Sequence, residues 1–191
     1  MMPMTRPATV ALLAIALAGC SLFGPKPSQQ TPASDPDSIN TGYTLLYIIV
    51  AGQKSSDKVL LIKHVSPQVK DIIKEISEAT GKIDAELKAF AKNDPDIQLE
   101  RRVLPLIETK QRESAVAERV LQFVGTSGKR FERLLLLSQS GLLTTERHIA
   151  RVMRDSETHP GRKAFWEQTA KTFDELYAKL VKLLEDEYFI P

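Results

Sequence analysis

The chain has 191 residues, 42% of them hydrophobic, and sets 26 Lys and Arg against 24 Asp and Glu for a formal net charge of +2. Charges so evenly matched argue against nucleic acid as the main partner, which calls for a face of excess positive charge. A single cysteine, Cys20, excludes internal disulfides, and beyond it no stretch is apolar over the roughly 20 residues that a bilayer span requires.

The first element is Arg6 followed by an apolar run from Ala8 to Ala18. A basic start, a short apolar stretch and small residues at its end read as a signal peptide over residues 1–19. The run is about half the length of a span, so an anchor helix is disfavoured. Leu17-Ala18-Gly19-Cys20 closes it, and this tetrapeptide resembles the lipobox of bacterial lipoproteins. The resemblance implies cleavage before Cys20, diacylglycerol on its sulfur and a third acyl chain on the new amino group. It thus implies a lipid-anchored protein of the bacterial cell envelope. Serine at position 21, where an aspartate resembles an inner-membrane retention signal, points to the outer membrane, facing the periplasm. One acyl chain holds a protein only marginally, whereas two or three make release negligible. Cleavage removes Arg6 and no acid, leaving 25 basic against 24 acidic side chains.

Residues 20–40 carry Pro25, Pro27, Pro32 and Pro36 among Ser, Gln, Thr and Asp, with few large apolar residues. That composition predicts a disordered tether with a root-mean-square reach of about 25 Å. Residues 41–191 are expected to form one helical domain, without internal repeats. Thr41–Gln53 mixes β-branched and aromatic residues (Tyr43, Tyr47, Ile48, Ile49, Val50), so periodicity leaves helix and strand open, as it does for Asp57–Lys63.

Ser66-Pro67 opens the first of four long periodic segments, serine as N-cap and proline at the first helical position. Val69, Ile72, Ile73, Ile76, Ile83, Leu87 and Phe90 form its stripe, and Asn93-Asp94-Pro95 ends it. The second runs from about Asp96 to Val124, with Val103, Leu104, Ile107, Ala117, Leu121 and Val124 expected inward. Pro105 predicts a kink or break near Arg101–Pro105. The third runs from Lys129 to about Arg154 on Phe131, Leu134, Leu135, Leu142, Ile149, Val152 and Met153. Leu136, Leu137 and Leu143 widen its apolar arc, so it should touch more than one neighbour. The fourth, from Lys163 to about Glu187, aligns Trp166, Phe173, Leu176, Tyr177, Leu180 and Leu184. Short connections make consecutive helices antiparallel. The fold class expected is all-α: an antiparallel up-down-up-down four-helix bundle with an additional short N-terminal segment.

Chemistry is sparse. His64, His148 and His159 form no His-Glu-x-x-His and no pair at ligand spacing. Gly125–Lys129 ends like a phosphate-binding loop, but it is two residues short, has Arg130 where Ser or Thr is needed, and follows no strand. No catalytic set, cofactor or metal site is expected. On the second helix, at 100° per residue, Gln111, Ser114 and Glu118 fall near the buried face. Folding back at the 125–128 turn sets Ser114 opposite Gln139 and Glu118 beside Leu135 and Ser138. A core polar cluster of Gln111, Ser114, Glu118 and Gln139 follows, with Glu132, Gln139 and Glu146 on the flank of the third helix at seven-residue steps. Such a cluster either fixes helix register or holds a metal or small ligand. Di-iron bundles of the ferritin-like kind share the architecture, but they use Glu-x-x-His pairs, which this chain lacks. Arg133, Arg147 and Arg151 make a basic face for anionic headgroups or an acidic partner, or a solvated face paired with nearby acids. The function expected is a non-enzymatic helical interaction or scaffold module, held on the membrane by its lipid and meeting an envelope protein partner. The alternative is a bundle binding a metal or small ligand through Glu118, Gln111 and Gln139.

Overall fold

The computed structural model describes residues 36–99 and 105–189, except for the side chains of residues 36, 37, 112 and 119–121. The expected signal peptide, Cys20 and the tether up to residue 35 lie outside the described residues, as do Val103, Leu104 and the Leu121 side chain. Everything described is helix, 3-10 turn or connection, in the order α1 Pro36–Gln53, a 3-10 turn Ser56–Leu61, α2 Pro67–Asn93, α3 Leu106–Val124, α4 Gly128–Ser156 and α5 Pro160–Glu187. No helix among these residues is long and apolar enough to cross a membrane.

The ambiguous N-terminal segment is a helix, and it begins at Pro36, inside the stretch read as tether. Proline suits that place because its fixed φ favours the first helical turn and its missing N–H is not needed there. Nor is α1 an accessory laid on a finished bundle. Tyr43, Leu46, Ile49 and Val50 are buried, each worth about 1.5–3 kcal/mol relative to exposure. Gly42 lets α1 approach α4 closely: a Cβ there would stand 2.0 Å from Met153 Sδ. Against α2, Lys54 Nζ lies 2.7 Å from Asp84 Oδ2, and Ser77 Oγ donates to the Lys54 carbonyl at 2.7 Å.

Helices α1, α2, α4 and α5 supply nearly all of the buried apolar cluster. The stripes expected on α2 and α5 are buried almost throughout, and the broad arc of α4 does meet α1, α3 and α5. On α4, Val152 and Leu137 are instead exposed. Four edge-to-face contacts close a ring of aromatic side chains across three helices: Tyr43–Trp166 at 5.0 Å, Trp166–Phe165 at 5.1 Å, Phe165–Phe90 at 5.0 Å and Phe90–Tyr43 at 6.4 Å between centroids. Each such pair adds about 0.5–1.5 kcal/mol to the area it buries.

The second long segment departs from expectation. Residues 96–99, expected to open it, are turn and irregular chain, the expected kink falls on residues 100–104 outside the described residues, and α3 starts only at Leu106, with Thr109 N–H donating to the Pro105 carbonyl at 3.1 Å. Helix α3 then meets the rest of the domain mainly through α4. Its partly buried positions are Glu108, Thr109, Ala115 and Phe123, whereas Ile107, Ala117 and Val124, expected inward, are exposed. The reason is occupancy, since α1 already fills the core beside α4. What holds α3 is its C-terminal end: Phe123 meets Phe131 edge-on at 5.8 Å. Lys63 Nζ there donates to the carbonyls of Val124 (3.4 Å) and Thr126 (2.8 Å). The turn that follows closes on Gly128, whose φ of +59° is the left-handed conformation glycine adopts without a Cβ clash.

Candidate functional site

Seven residues are nearly two helical turns, so polar residues at that step share one face of a helix. On α4 they are Glu132, Gln139 and Glu146, and all three are buried. Each is met by an element other than α3. Glu132 accepts from the Ser66 N–H just before α2 and from Tyr188 O–H, 2.5 Å away, at the end of α5. Burial and this hydrogen bond push the Tyr188 hydroxyl up to about 12. Gln139 Oε1 accepts from Gln53 Nε2 of α1 at 2.5 Å. The other end of the Gln53 amide lies 2.6 and 3.1 Å from the Glu146 carboxyl oxygens.

Glu146 is wholly buried, and burial pushes its carboxyl up to about 8. At neutral pH it therefore keeps its proton. A neutral carboxyl donates O–H to the Gln53 carbonyl at 2.6 Å, an ordinary O–H···O length, and the Gln53 nitrogen continues the chain to Gln139. Losing the proton reverses the requirement, because a carboxylate only accepts and Gln53 must then turn its nitrogen towards Glu146.

A second network stands where α4 ends. Glu157 accepts from Tyr43 O–H at 2.7 Å, from His159 N–H at 2.9 Å and from Arg162 at 3.0 and 3.2 Å. Arg162 also donates to Asp94 at 2.5 Å, and Trp166 Nε1–H donates to the Tyr43 oxygen at 3.3 Å. Burial alone would raise the Glu157 carboxyl, but the His159 N–H, Tyr43 O–H and Arg162 hold it below the usual carboxylate range. Burial and the same bond push the Tyr43 hydroxyl well above its usual range. A cleft of about 220 Å³ opens beside this network, with Asn40, Asp96, Ile97 and Thr158 on its wall. The arrangement holds an anion and a cation in a fixed, fully partnered state. Neither is poised to transfer a proton near neutrality.

The expected cluster of Gln111, Ser114, Glu118 and Gln139 is not assembled. Gln111, Ser114 and Glu118 are exposed, and Glu118 accepts from its own helix neighbour Gln122 at 3.2 Å. Only Gln139 is buried, and its partner comes from α1. The register that faced α3 towards α4 assumed that α3 was a core wall. With the apolar stripe of α3 turned outward, its polar neighbours turn outward too. Sequence reasoning missed Gln53, which lies at the end of a segment of undecided type, and took the buried spine of α4 for a flank. The seven-residue spacing was the signal.

The arginine face divides. Arg151 makes a two-pronged contact with Asp174 of α5 at 2.7 and 2.8 Å, and Arg147 lies 4.0 Å from the centre of the Tyr177 ring. These two tie α4 to α5, while Arg133 is exposed. His64 and His148 are exposed, and His159 caps α5, its Nδ1 accepting from Arg162 N–H at 3.4 Å. Among the described residues no three His, Cys, Asp or Glu side chains stand close enough to share a metal ion. Between α2 and α5 runs an open groove of about 410 Å³ over Ile83 and Leu176, edged by Glu78, Glu86 and a Lys179–Glu75 ion pair of 2.6 Å.

Comparison of the chain with protein-family models, with curated proteins and with solved structures finds no match.

Proposed function

We propose that the mature chain is a lipid-anchored protein of the bacterial cell envelope whose helical body acts without catalysis, by presenting a helix surface to another envelope protein. The observation that carries this reading is Leu17-Ala18-Gly19-Cys20 at the end of the apolar run after Arg6. Ser21 favours the outer membrane and a body facing the periplasm. The body proposed is an antiparallel four-helix bundle of α1, α2, α4 and α5, with α3 outside it. Contacts that run in opposite directions along each neighbouring pair support that arrangement. They are Tyr43–Phe90 and Lys54–Asp84 for α1 with α2, and Gly42–Met153 and Gln53–Gln139 for α1 with α4. For α2 with α5 they are Lys179–Glu75 and Phe90–Phe165, and for α4 with α5 Glu132–Tyr188 and Arg151–Asp174.

The role as an interaction module is supported by where the buried acids stand. Glu132 and Glu157 hold their places through partners drawn from distant parts of the chain, so they fix the body that carries the surface. Metabolic labelling with a fatty acid tests the anchor: label on the parent, none on Cys20→Ala. Undiminished label on the variant removes it. Affinity recovery from envelope extracts tests the role, and the expected outcome is one reproducible protein partner. A protein that recovers none but binds a small molecule stoichiometrically is a binder of another kind.

A further inference from the structure

Helix α3 carries its apolar residues away from the core. Leu106 is 69% exposed, Ile107 78% and Val124 73%. The 3-10 turn joins that face, because Lys63, which caps the α3 carbonyls, directly follows Leu61 and Ile62, 84% and 78% exposed. A helix that leaves such groups in water while its Glu108 and Thr109 are half-buried has its cover elsewhere.

The place where the chain enters the body says what the cover is. Gln98 N–H donates to Asn40 Oδ1 at 2.8 Å, and Thr44 Oγ donates to the Gln98 carbonyl at 2.8 Å. Gln98, eight residues before α3 begins, therefore lies beside the first turns of α1. Only fifteen residues separate Cys20 from Pro36, where α1 begins, and a chain of that length reaches no farther than about 55 Å. An acylated Cys20 thus keeps a bilayer within reach of the body at the end from which α3 sets out. Tethering makes contact intramolecular, at an effective concentration on the order of millimolar, so even weak interfacial affinity suffices. Helix α3 is about 28 Å long, and its apolar arc carries exposed Lys110 and exposed Glu113, one charge of each sign. A broad apolar arc interrupted by few charges is the face that a helix lays into a lipid interface.

We propose that the outward face of α3, with the adjoining 3-10 turn, rests on the lipid surface to which the anchor ties the protein. The inference rests on acylation of Cys20, and the experiment separates the two. The acylated full chain is reconstituted into phosphatidylethanolamine–phosphatidylglycerol vesicles with one introduced cysteine, either Ile107→Cys or Glu78→Cys on the exposed face of α2. Cys20 is the only other cysteine, and acylation blocks its sulfur, so a bimane dye labels one site. Acyl-chain nitroxide lipids should quench the dye at least threefold more strongly at position 107 than at position 78, and Val124→Cys should repeat the result. Equal quenching on vesicles that still carry the protein overturns the surface contact and leaves the anchor standing. A dye at 107 that is shielded from water but not quenched by lipid also overturns it, in favour of a second copy of the chain. Protein that fails to float with the vesicles removes the anchor, and this inference with it.

Discussion

Glu146 is a buried carboxyl that makes the stability of the interior depend on pH. Its carboxyl has an ordinary value near 4.5 and is pushed up to about 8 by burial. Between those values the fold keeps a proton that the unfolded chain has lost. The stability that Glu146 contributes therefore falls as pH rises from about 4.5 to about 8, and changes little above that. Glu146→Gln stays neutral and still offers a donor to the Gln53 carbonyl, so it should flatten this slope. At pH 9 the variant should exceed the parent by on the order of 5 kcal/mol. Denaturant unfolding of both proteins at pH 5, 7 and 9 measures this, and a slope unaltered by the substitution would refute the assignment. Glu157 is the contrasting case: it is also buried, yet the partners around it favour its charged form. The number of donors aimed at each carboxyl decides its state, and those donors come from positions far apart in sequence.

Between elements, the closest approach is α1 on α4 at Gly42. Alanine there gains about 1 kcal/mol of helix propensity, but its Cβ would overlap Met153 Sδ, 2.0 Å away. Overpacking of this kind costs about 1–3 kcal/mol, so Gly42→Ala should destabilise the parent. In a Met153→Ala background the overlap is gone and the same change should be neutral or stabilising. A double-mutant cycle by chemical unfolding reads the coupling, expected between about 0.5 and 3 kcal/mol. Additive effects would mean that α1 does not sit where Met153 places it. The α4–α5 contact rests on packing rather than charge. Asp174 with Arg151 is partly exposed, and exposed pairs contribute little, whereas Phe173, Leu176 and Leu180 are buried along the same seam.

For the whole molecule, the division of labour between α1 and α3 makes the clearest prediction. Ile107 lies outward, so Ile107→Ser should cost less than about 0.5 kcal/mol. Trp166 stands in the aromatic ring that joins α1, α2 and α5, and Trp166→Ala should cost about 3–5 kcal/mol. Unfolding midpoints of the two variants test which helices make the core. A loss above about 2 kcal/mol for Ile107→Ser would put α3 inside it. A helix that is dispensable to stability and apolar on its open side is free to serve contact with a surface.

The sequence by itself determined the helical class and the extents of α2, α4 and α5 to within a few residues. Those follow from local causes: apolar spacing along one chain segment, and proline in the first turn of α2 and α5, where its missing N–H is not needed; Ser66 stands before α2 without a side-chain cap bond. It also marked the spine of Glu132, Gln139 and Glu146, though not what meets it. Which helices supply the core was decided by tertiary structure alone. Helices α1 and α3 both carry apolar residues, and periodicity does not rank them. The space beside α4 admits one, and α1, with Gly42 for close approach and Tyr43 for the aromatic ring, fills it.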